Sequence, residues 1–180
     1  MGVRYGSVEQ VVKRYRDARG GLAATDGLPE LLLTFEECGG VDGWASQIGT
    51  GHRTSTRAGA PLKAAAIRES AVSLREAGVL TADDLRALDP AGLTEAKARW
   101  LRVPGQRSGI SWRYFLMLAG VPGVKADRMI CRFVGAATGL PPGDVTPQRA
   151  ARAVEGAADL LGVSPSVLDH TIWRWQSGRN

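Results

Sequence analysis

The segment spanning residues 102–134 most constrains the fold that this chain can adopt. Its pattern predicts a short Pro-Gly hairpin at residues 103–109, an apolar helix at residues 110–119, a Gly/Pro loop at residues 120–124 and a further helix that begins at Asp127. A hairpin that leads into a helix N-terminus presents backbone N–H groups to an anion. We therefore expect the Asp127 carboxylate to be held rigidly near whatever the hairpin binds.

The composition is that of a globular protein. The chain has 180 residues, of which 44% are hydrophobic and 23% charged, so it is long enough to form a core and favours a single domain over residues 1–180. No apolar run approaches the roughly 18 residues that a membrane span needs, and residues 1–20 are too charged for a signal peptide. The sequence therefore predicts a cytoplasmic, monomeric protein that does not associate with a membrane.

The charge balance favours a polyanionic partner. The formal net charge is +5 and the isoelectric point is near 9.7, with arginine supplying most of the excess. Such a balance is typical of proteins that bind nucleic acid, although many small basic proteins bind none.

Cysteine and histidine are too few and too scattered for a metal site. Cys38 and Cys131 lie far apart, which excludes a multi-cysteine zinc or iron–sulfur site, and His52 and His170 lie in unrelated segments. We expect no metal and no cofactor, and we expect both cysteines to be small buried apolar residues.

Periodic apolar residues and capping signals predict helices along the rest of the chain. These helices are residues 7–19, 28–35, 61–77, 82–88, 94–101, 147–161 and 165–178, and the residues expected to face the core include Val8, Val11, Val12, Tyr15, Ile67, Ala71, Leu74, Ala150, Val154, Ala157, Leu161, Leu168, Ile172 and Trp175. No segment has a convincing strand pattern. The sequence therefore predicts an all-α fold of about eight or nine helices.

Residues 43–60 are predicted to form a loop, because they are rich in Gly, Ser, Thr and Arg. Arg53 and Arg57, with His52 beside them, are candidates for phosphate contacts. A solvated basic loop explains the same residues equally well, so both interpretations stay open.

Residues 103–132 resemble the DNA glycosylases of the helix-hairpin-helix–Gly/Pro/Asp (HhH-GPD) superfamily, whose best-known type is endonuclease III. That family has a hairpin L-P-G-V-G-x-K-T-A, an apolar helix, a G-x-P-x-I-x-V-D loop and a helix continuing T-H-V-x-R. The hairpin pattern lies without a gap on VPGQRSGIS at residues 103–111, and the later matches are Gly120, Pro122, Val124, Asp127, Ile130 and Arg132. A K-A-x-x-I helix at Lys63 and a closing helix at residues 168–179 extend the likeness to residues 63–179, whereas residues 1–60 match poorly.

The resemblance implies a compact, bilobed helical domain that bends duplex DNA and flips a base into a cleft. Asp127 is then the catalytic carboxylate, which stabilises positive charge on the sugar or takes a proton from the attacking water. The residues that the resemblance assigns to DNA binding are Pro104, Gly105, Gln106, Arg107, Ser108, Gly109 and Ser111.

Three departures make this chain an atypical relative. Gly109 replaces the lysine that lyase members use as a Schiff-base nucleophile, Arg107 replaces the second hairpin glycine, and no cysteine cluster follows the last helix. The residues that relatives insert into the DNA stack cannot be identified. The resemblance therefore implies a monofunctional glycosylase without lyase activity or an iron–sulfur cluster. A non-catalytic DNA-binding relative is the alternative, and a helical protein-interaction module is the third interpretation.

A second register is possible, in which residues 120–125 form the hairpin, Lys125 is the nucleophile and Asp144 is the carboxylate. It leaves residues 103–111 unexplained. Asp127 is also a preferred helix N-cap, worth ~1 kcal/mol, and capping is compatible with catalysis. Lys125 is expected to be solvated, and the role of Trp112 stays open.

Overall fold

The protein is all-α, which confirms the fold class predicted from the sequence. A computed structural model describes residues 5–141 and 143–178. Within them the α-helices are α1 (Tyr5–Arg19), α2 (Leu28–Glu37), α3 (Val41–Gln47), α4 (Lys63–Glu76), α5 (Ala82–Ala87), α6 (Pro90–Arg102), α7 (Ile110–Leu118), α8 (Arg128–Thr138), α9 (Pro147–Leu161) and α10 (Pro165–Gln176), and a 3₁₀-helix spans Gly20–Ala24. Over the same residues there is no strand, only an isolated antiparallel bridge between Arg53 and Leu62. None of these helices combines the length and the apolar content that a membrane-spanning segment requires.

Helix α3 lies partly in the stretch predicted to be a loop, and it brings the number of described helices to ten. Its formation depends on tertiary burial. Trp44 is 2% exposed and its ring stacks on Phe35, with the centroids 4.5 Å apart. A Cβ atom at Gly43 would lie 1.8 Å from the carbonyl oxygen of Cys38, so only glycine permits this close approach.

The chain divides into two compact units, with the boundary between Arg107 and Ser108. The first unit contains α1 to α6 and the second contains α7 to α10. The expectation of a single domain over residues 1–180 stays a prediction.

The first unit has an apolar core around Phe35, Trp44 and Ala64, against which the half-buried Val11 and Tyr15 pack. The indole N–H of Trp44 donates to the hydroxyl of Thr34, so the polar edge of the buried ring is satisfied. Three residues expected in the core are instead exposed: Val8, Val12 and Ile67. The buried stripes of α1 and α4 are therefore narrower than the apolar pattern predicts.

The second unit has a core formed by α8, α9, α10 and the segment before α8, with Val124, Ile130, Val154 and Ile172 all buried. Two predictions for this core are wrong, since Leu161 is 65% exposed and Trp175 is 64% exposed. Both residues lie in the last turn of their helices, where the neighbouring helices no longer cover them.

N-cap side chains accept hydrogen bonds at four of the described helix starts, those of α5, α6, α8 and α9. Thr81 and Asp84 form a reciprocal capping box at α5, and the Thr146 hydroxyl accepts from the Arg149 N–H at α9. Ser164 makes no side-chain capping bond. Helix α6 begins at Pro90, earlier than expected, because Asp89 caps it by accepting from the Gly92 N–H.

Candidate functional site

The hairpin predicted at residues 103–109 is a turn that joins α6 to α7. The Gln106 N–H donates to the Val103 carbonyl at 3.0 Å, and the side chain of Val103 is buried. Gly105 and Gly109 have φ angles of +85° and +71°, a conformation that other residues adopt only at a cost. The two glycines therefore permit the turn, and Gly109 directly precedes α7.

The hairpin presents most of its predicted DNA-binding residues to solvent. Pro104, Gly105, Arg107 and Ser108 are exposed, whereas Gln106, Gly109 and Ser111 are half-buried. The Arg107 guanidinium makes no hydrogen bond or ion pair with the described part of the chain, so it is available to a ligand. The Ser108 hydroxyl accepts weakly from the Ile110 N–H at 3.4 Å, in the first turn of α7.

A second basic segment, residues 52–57, lies beside the first half of the hairpin. We call it the basic loop. A Cβ atom at Gly105 would lie 2.8 Å from the Cβ atom of Thr54, so the Gly105 backbone lies against the Thr54 side chain. The Arg53 guanidinium donates to the carbonyl of Ala60, three residues after the basic loop ends. The exposed guanidinium of Arg57 has no such partner among the described residues.

Asp127 is the N-cap of α8, where the sequence places it. Its Oδ1 accepts from the N–H groups of Met129 at 2.8 Å and Ile130 at 3.4 Å, and the residue is half-buried. Its Oδ2 accepts no hydrogen bond from the described part of the chain, where no buried side-chain oxygen lacks a partner. Oδ2 must therefore reach solvent while Oδ1 fixes the orientation of the carboxylate.

Side chains of the three residues before Asp127 pack against the second unit. Val124 and Ala126 are buried in the core of the second unit. The ammonium group of Lys125 lies 4.2 Å from the centroid of the Tyr114 ring on α7, a cation–π contact. Lys125 is half-buried, so the expectation that it is solvated stays a prediction, and in the described structure no ion pair joins this lysine to Asp127.

Asp169 on α10 is a residue that the sequence reasoning missed. It is 7% exposed, and its carboxylate accepts from the Lys125 N–H at 3.1 Å. Burial raises the pKa of the Asp169 carboxyl to about 6; the hydrogen bond from Lys125 opposes this shift, and the negative charge of Asp127 adds to it. The sequence does contain a signal for this residue, because an aspartate next to the apolar positions Leu168 and Ile172 of the last helix indicates a buried carboxylate.

The second register finds no support in the local geometry. Its carboxylate, Asp144, is exposed and caps no helix, because Thr146 is the N-cap of α9. Its nucleophile, Lys125, is packed against Tyr114. The turn followed directly by a helix N-terminus lies at residues 103–109 instead.

The remaining candidate side chains are mainly structural. Trp112 is buried, and Trp175 packs edge-on against Phe133 while staying largely exposed. Cys38 and Cys131 are free and half-buried, and burial raises the pKa of both thiols. In residues 5–141 and 143–178, no cluster of three or more His, Cys, Asp or Glu side chains is placed to hold a metal ion.

These features define a class of all-α protein in which a glycine hairpin joins two helices and a capping aspartate begins the next one. The chain belongs to the family described as "Domain of unknown function (DUF8548)", whose model matches residues 1–177. A search of curated proteins and a search of solved structures each found no match.

Proposed function

We propose that this protein binds duplex DNA and releases a damaged or modified base by hydrolysis, as a monofunctional DNA glycosylase of the HhH-GPD type. The observation that supports this best is the arrangement at Asp127. One oxygen is fixed by backbone N–H groups at the start of α8, and the other accepts no hydrogen bond from the described residues and reaches solvent.

The chemistry follows from the charge that develops during base release. Breaking an N-glycosidic bond places positive charge on the sugar. A fixed carboxylate stabilises that charge or takes a proton from the attacking water, and such catalysis typically contributes ~10²–10⁴-fold. Because Oδ1 of Asp127 is held by the Met129 N–H, Oδ2 keeps one orientation, which lowers the reorganisation needed at the moment of reaction.

The proposed grip on DNA is electrostatic. Arg107 and Arg57 are exposed without partners in the described residues, and the chain carries a formal net charge of +5. Cationic side chains of this kind bind phosphates and position the duplex without reading its sequence. Flipping a base costs a few kcal/mol, which this backbone binding must offset.

The proposed reaction excludes a lyase step. Gly109 occupies the position of the family's hairpin lysine and has no side chain to form a Schiff base. The ammonium of Lys125, the nucleophile of the second register, lies over the Tyr114 ring. We expect borohydride to trap no covalent protein–DNA adduct during base release, and trapping that Lys125→Ala abolishes would support the second register instead.

Base release from defined duplexes tests the proposal. The purified protein is incubated with duplexes that each carry a single lesion, and abasic sites are revealed as alkali-labile breaks. Asp127→Asn should lower the single-turnover rate by at least about a hundredfold while DNA affinity stays similar. Asp159→Asn, which makes the same change at an exposed aspartate of α9, should keep the wild-type rate. A wild-type rate in Asp127→Asn would refute the assigned chemistry.

The second candidate is a non-catalytic DNA-binding protein. The exposed guanidinium of Arg107, which has no partner among the described residues, favours it independently of Asp127. It predicts duplex binding that weakens as salt is added, because each phosphate contact releases counterions. Salt-sensitive binding without base release from any lesion duplex would favour this candidate over the glycosylase.

A further inference from the structure

Two side chains of α10 hold the backbone of the loop that leads to Asp127. The Ser166 hydroxyl accepts from the Gly123 N–H at 3.0 Å and donates to the Gly123 carbonyl at 3.2 Å. One helical turn later, Asp169 accepts from the Lys125 N–H at 3.1 Å. The loop is therefore fixed at two alternate residues, and the second of these is two residues before Asp127.

The environment of Asp169 is unusual for a carboxylate. Its side chain is buried, and no ion pair in the described structure includes it. The ammonium of Lys125, the nearby cation, lies over the Tyr114 ring. A buried carboxylate without a paired cation is costly to ionise. The one backbone N–H that Asp169 is shown to accept from belongs to Lys125, in the loop that leads to Asp127.

We propose that Asp169 is a positioning residue for Asp127, which it serves by holding the Lys125 N–H and thereby the backbone that precedes the capping carboxylate. The catalytic consequence rests on the proposed glycosylase function, whereas the positioning of the loop does not. The geometry that supports it is the continuous path from the Asp169 carboxylate through Lys125 to Asp127 and the first N–H groups of α8.

The hold on the loop should depend on pH near neutrality. The pKa of Asp169 is raised to about 6, so its carboxylate is ionised above that pH and neutral below it. An ionised acceptor forms the stronger hydrogen bond. The ionisable groups that act on the Asp169 carboxyl are Asp127, at the start of α8, and Lys125, in the loop. Acidification through pH 6 should therefore loosen the Lys125 backbone.

Amide hydrogen exchange of the full chain, followed by NMR, tests the positioning without any activity. After correction for intrinsic exchange, protection of the Lys125 N–H should fall at least about threefold between about pH 7.5 and about pH 5. The Gly123 N–H is bound to a hydroxyl that does not titrate in this range, so it serves as the internal reference. Equal protection of the Lys125 N–H at both pH values would overturn the proposal.

The matched variants are Asp169→Asn and Asp159→Asn. The first keeps the shape and an acceptor oxygen at residue 169 but removes the titratable carboxyl. The protection of the Lys125 N–H should therefore no longer change between the two pH values. The second makes the same substitution at an exposed residue of α9 and should keep the wild-type change in protection. If the protection of the Lys125 N–H still changes with pH in Asp169→Asn, another group causes the change and the proposal is overturned.

The pH profile of base release adds the catalytic test. Wild-type single-turnover rates should fall as the pH is lowered, with a midpoint near the Asp169 pKa of about 6. Asp169→Asn should not show this fall, and it should bind DNA as well as the wild type does. The same fall in this variant would contradict the role of Asp169. If the wild-type protein releases no base from any duplex, the proposed glycosylase function fails, and amide exchange still decides whether Asp169 positions the loop.

Discussion

Gly105, at the hairpin, lies against the side chain of Thr54 in the basic loop, so closely that a Cβ atom at residue 105 would be 2.8 Å from the Cβ atom of Thr54. The contact joins two segments that the sequence suggests separately as phosphate-binding candidates. Gly105 and Thr54 both lie in the first compact unit, and each of their segments carries an exposed arginine, Arg107 and Arg57 respectively.

The first prediction concerns this contact. Gly105→Ala should lower the free energy of unfolding by about 2–4 kcal/mol, because the new side chain is strained at positive φ and also collides with Thr54. Gly162→Ala is the matched control, since its φ is +65° but a Cβ atom there meets open space; it should cost only about 1–2 kcal/mol. Urea denaturation measures both, and equal losses would mean that Thr54 yields without cost.

The second prediction concerns the grip on DNA. Arg107→Ala should weaken duplex binding and should lower the slope of log affinity against log salt by about 0.9, the value for one phosphate contact. Its exposed guanidinium has no partner among the described residues, so the folded state should keep its stability. Fluorescence anisotropy over a salt series measures the slope.

Arg16→Ala is the matched control, because it removes the same charge from an exposed position on α1, outside the hairpin and the basic loop. It should leave the slope nearly unchanged. Equal slopes for the two variants would show that net charge, rather than the hairpin, governs the binding.

The third prediction concerns the pH dependence of stability. The Asp26 carboxylate accepts from the Arg19 guanidinium at 2.7 and 3.0 Å and from the Tyr15 hydroxyl at 2.8 Å. The bonds from Arg19, followed by the bond from Tyr15, hold the pKa of Asp26 below its ordinary value. A depressed pKa contributes stability that is present above the unfolded-state pKa of about 3.9 and is lost as the pH falls through the lower folded-state pKa.

Asp26→Asn should therefore lower Tm by several degrees at neutral pH, and the difference from wild type should shrink below about pH 4. Thermal denaturation across pH measures it. Asp17→Asn breaks an exposed pair with Lys13 and should change Tm little at any pH. A difference for Asp26→Asn that stays constant down to about pH 2 would contradict the linkage to this carboxyl.

Local signals were sufficient for most of the secondary structure. The capping box of Thr81 and Asp84 and the Asp127 cap are short-range patterns, because the bonded groups lie two or three residues apart. The hairpin is equally local, since its turn depends on the backbone freedom of Gly105 and Gly109. Helix α3 was missed because its stability depends on the stacking of Trp44 on Phe35.

The sequence by itself determined the all-α class, most helix boundaries, the hairpin and the capping role of Asp127, because each depends on residues within one or two turns of the chain. Only the tertiary structure decided that Thr54 meets Gly105, that Lys125 covers Tyr114, and that Asp169, 44 residues from Lys125, holds its backbone N–H. Such contacts depend on how helices pack, and apolar periodicity shows which face is buried but not which side chain it meets. For the same reason Trp175, apolar in pattern, is left largely exposed at the end of α10.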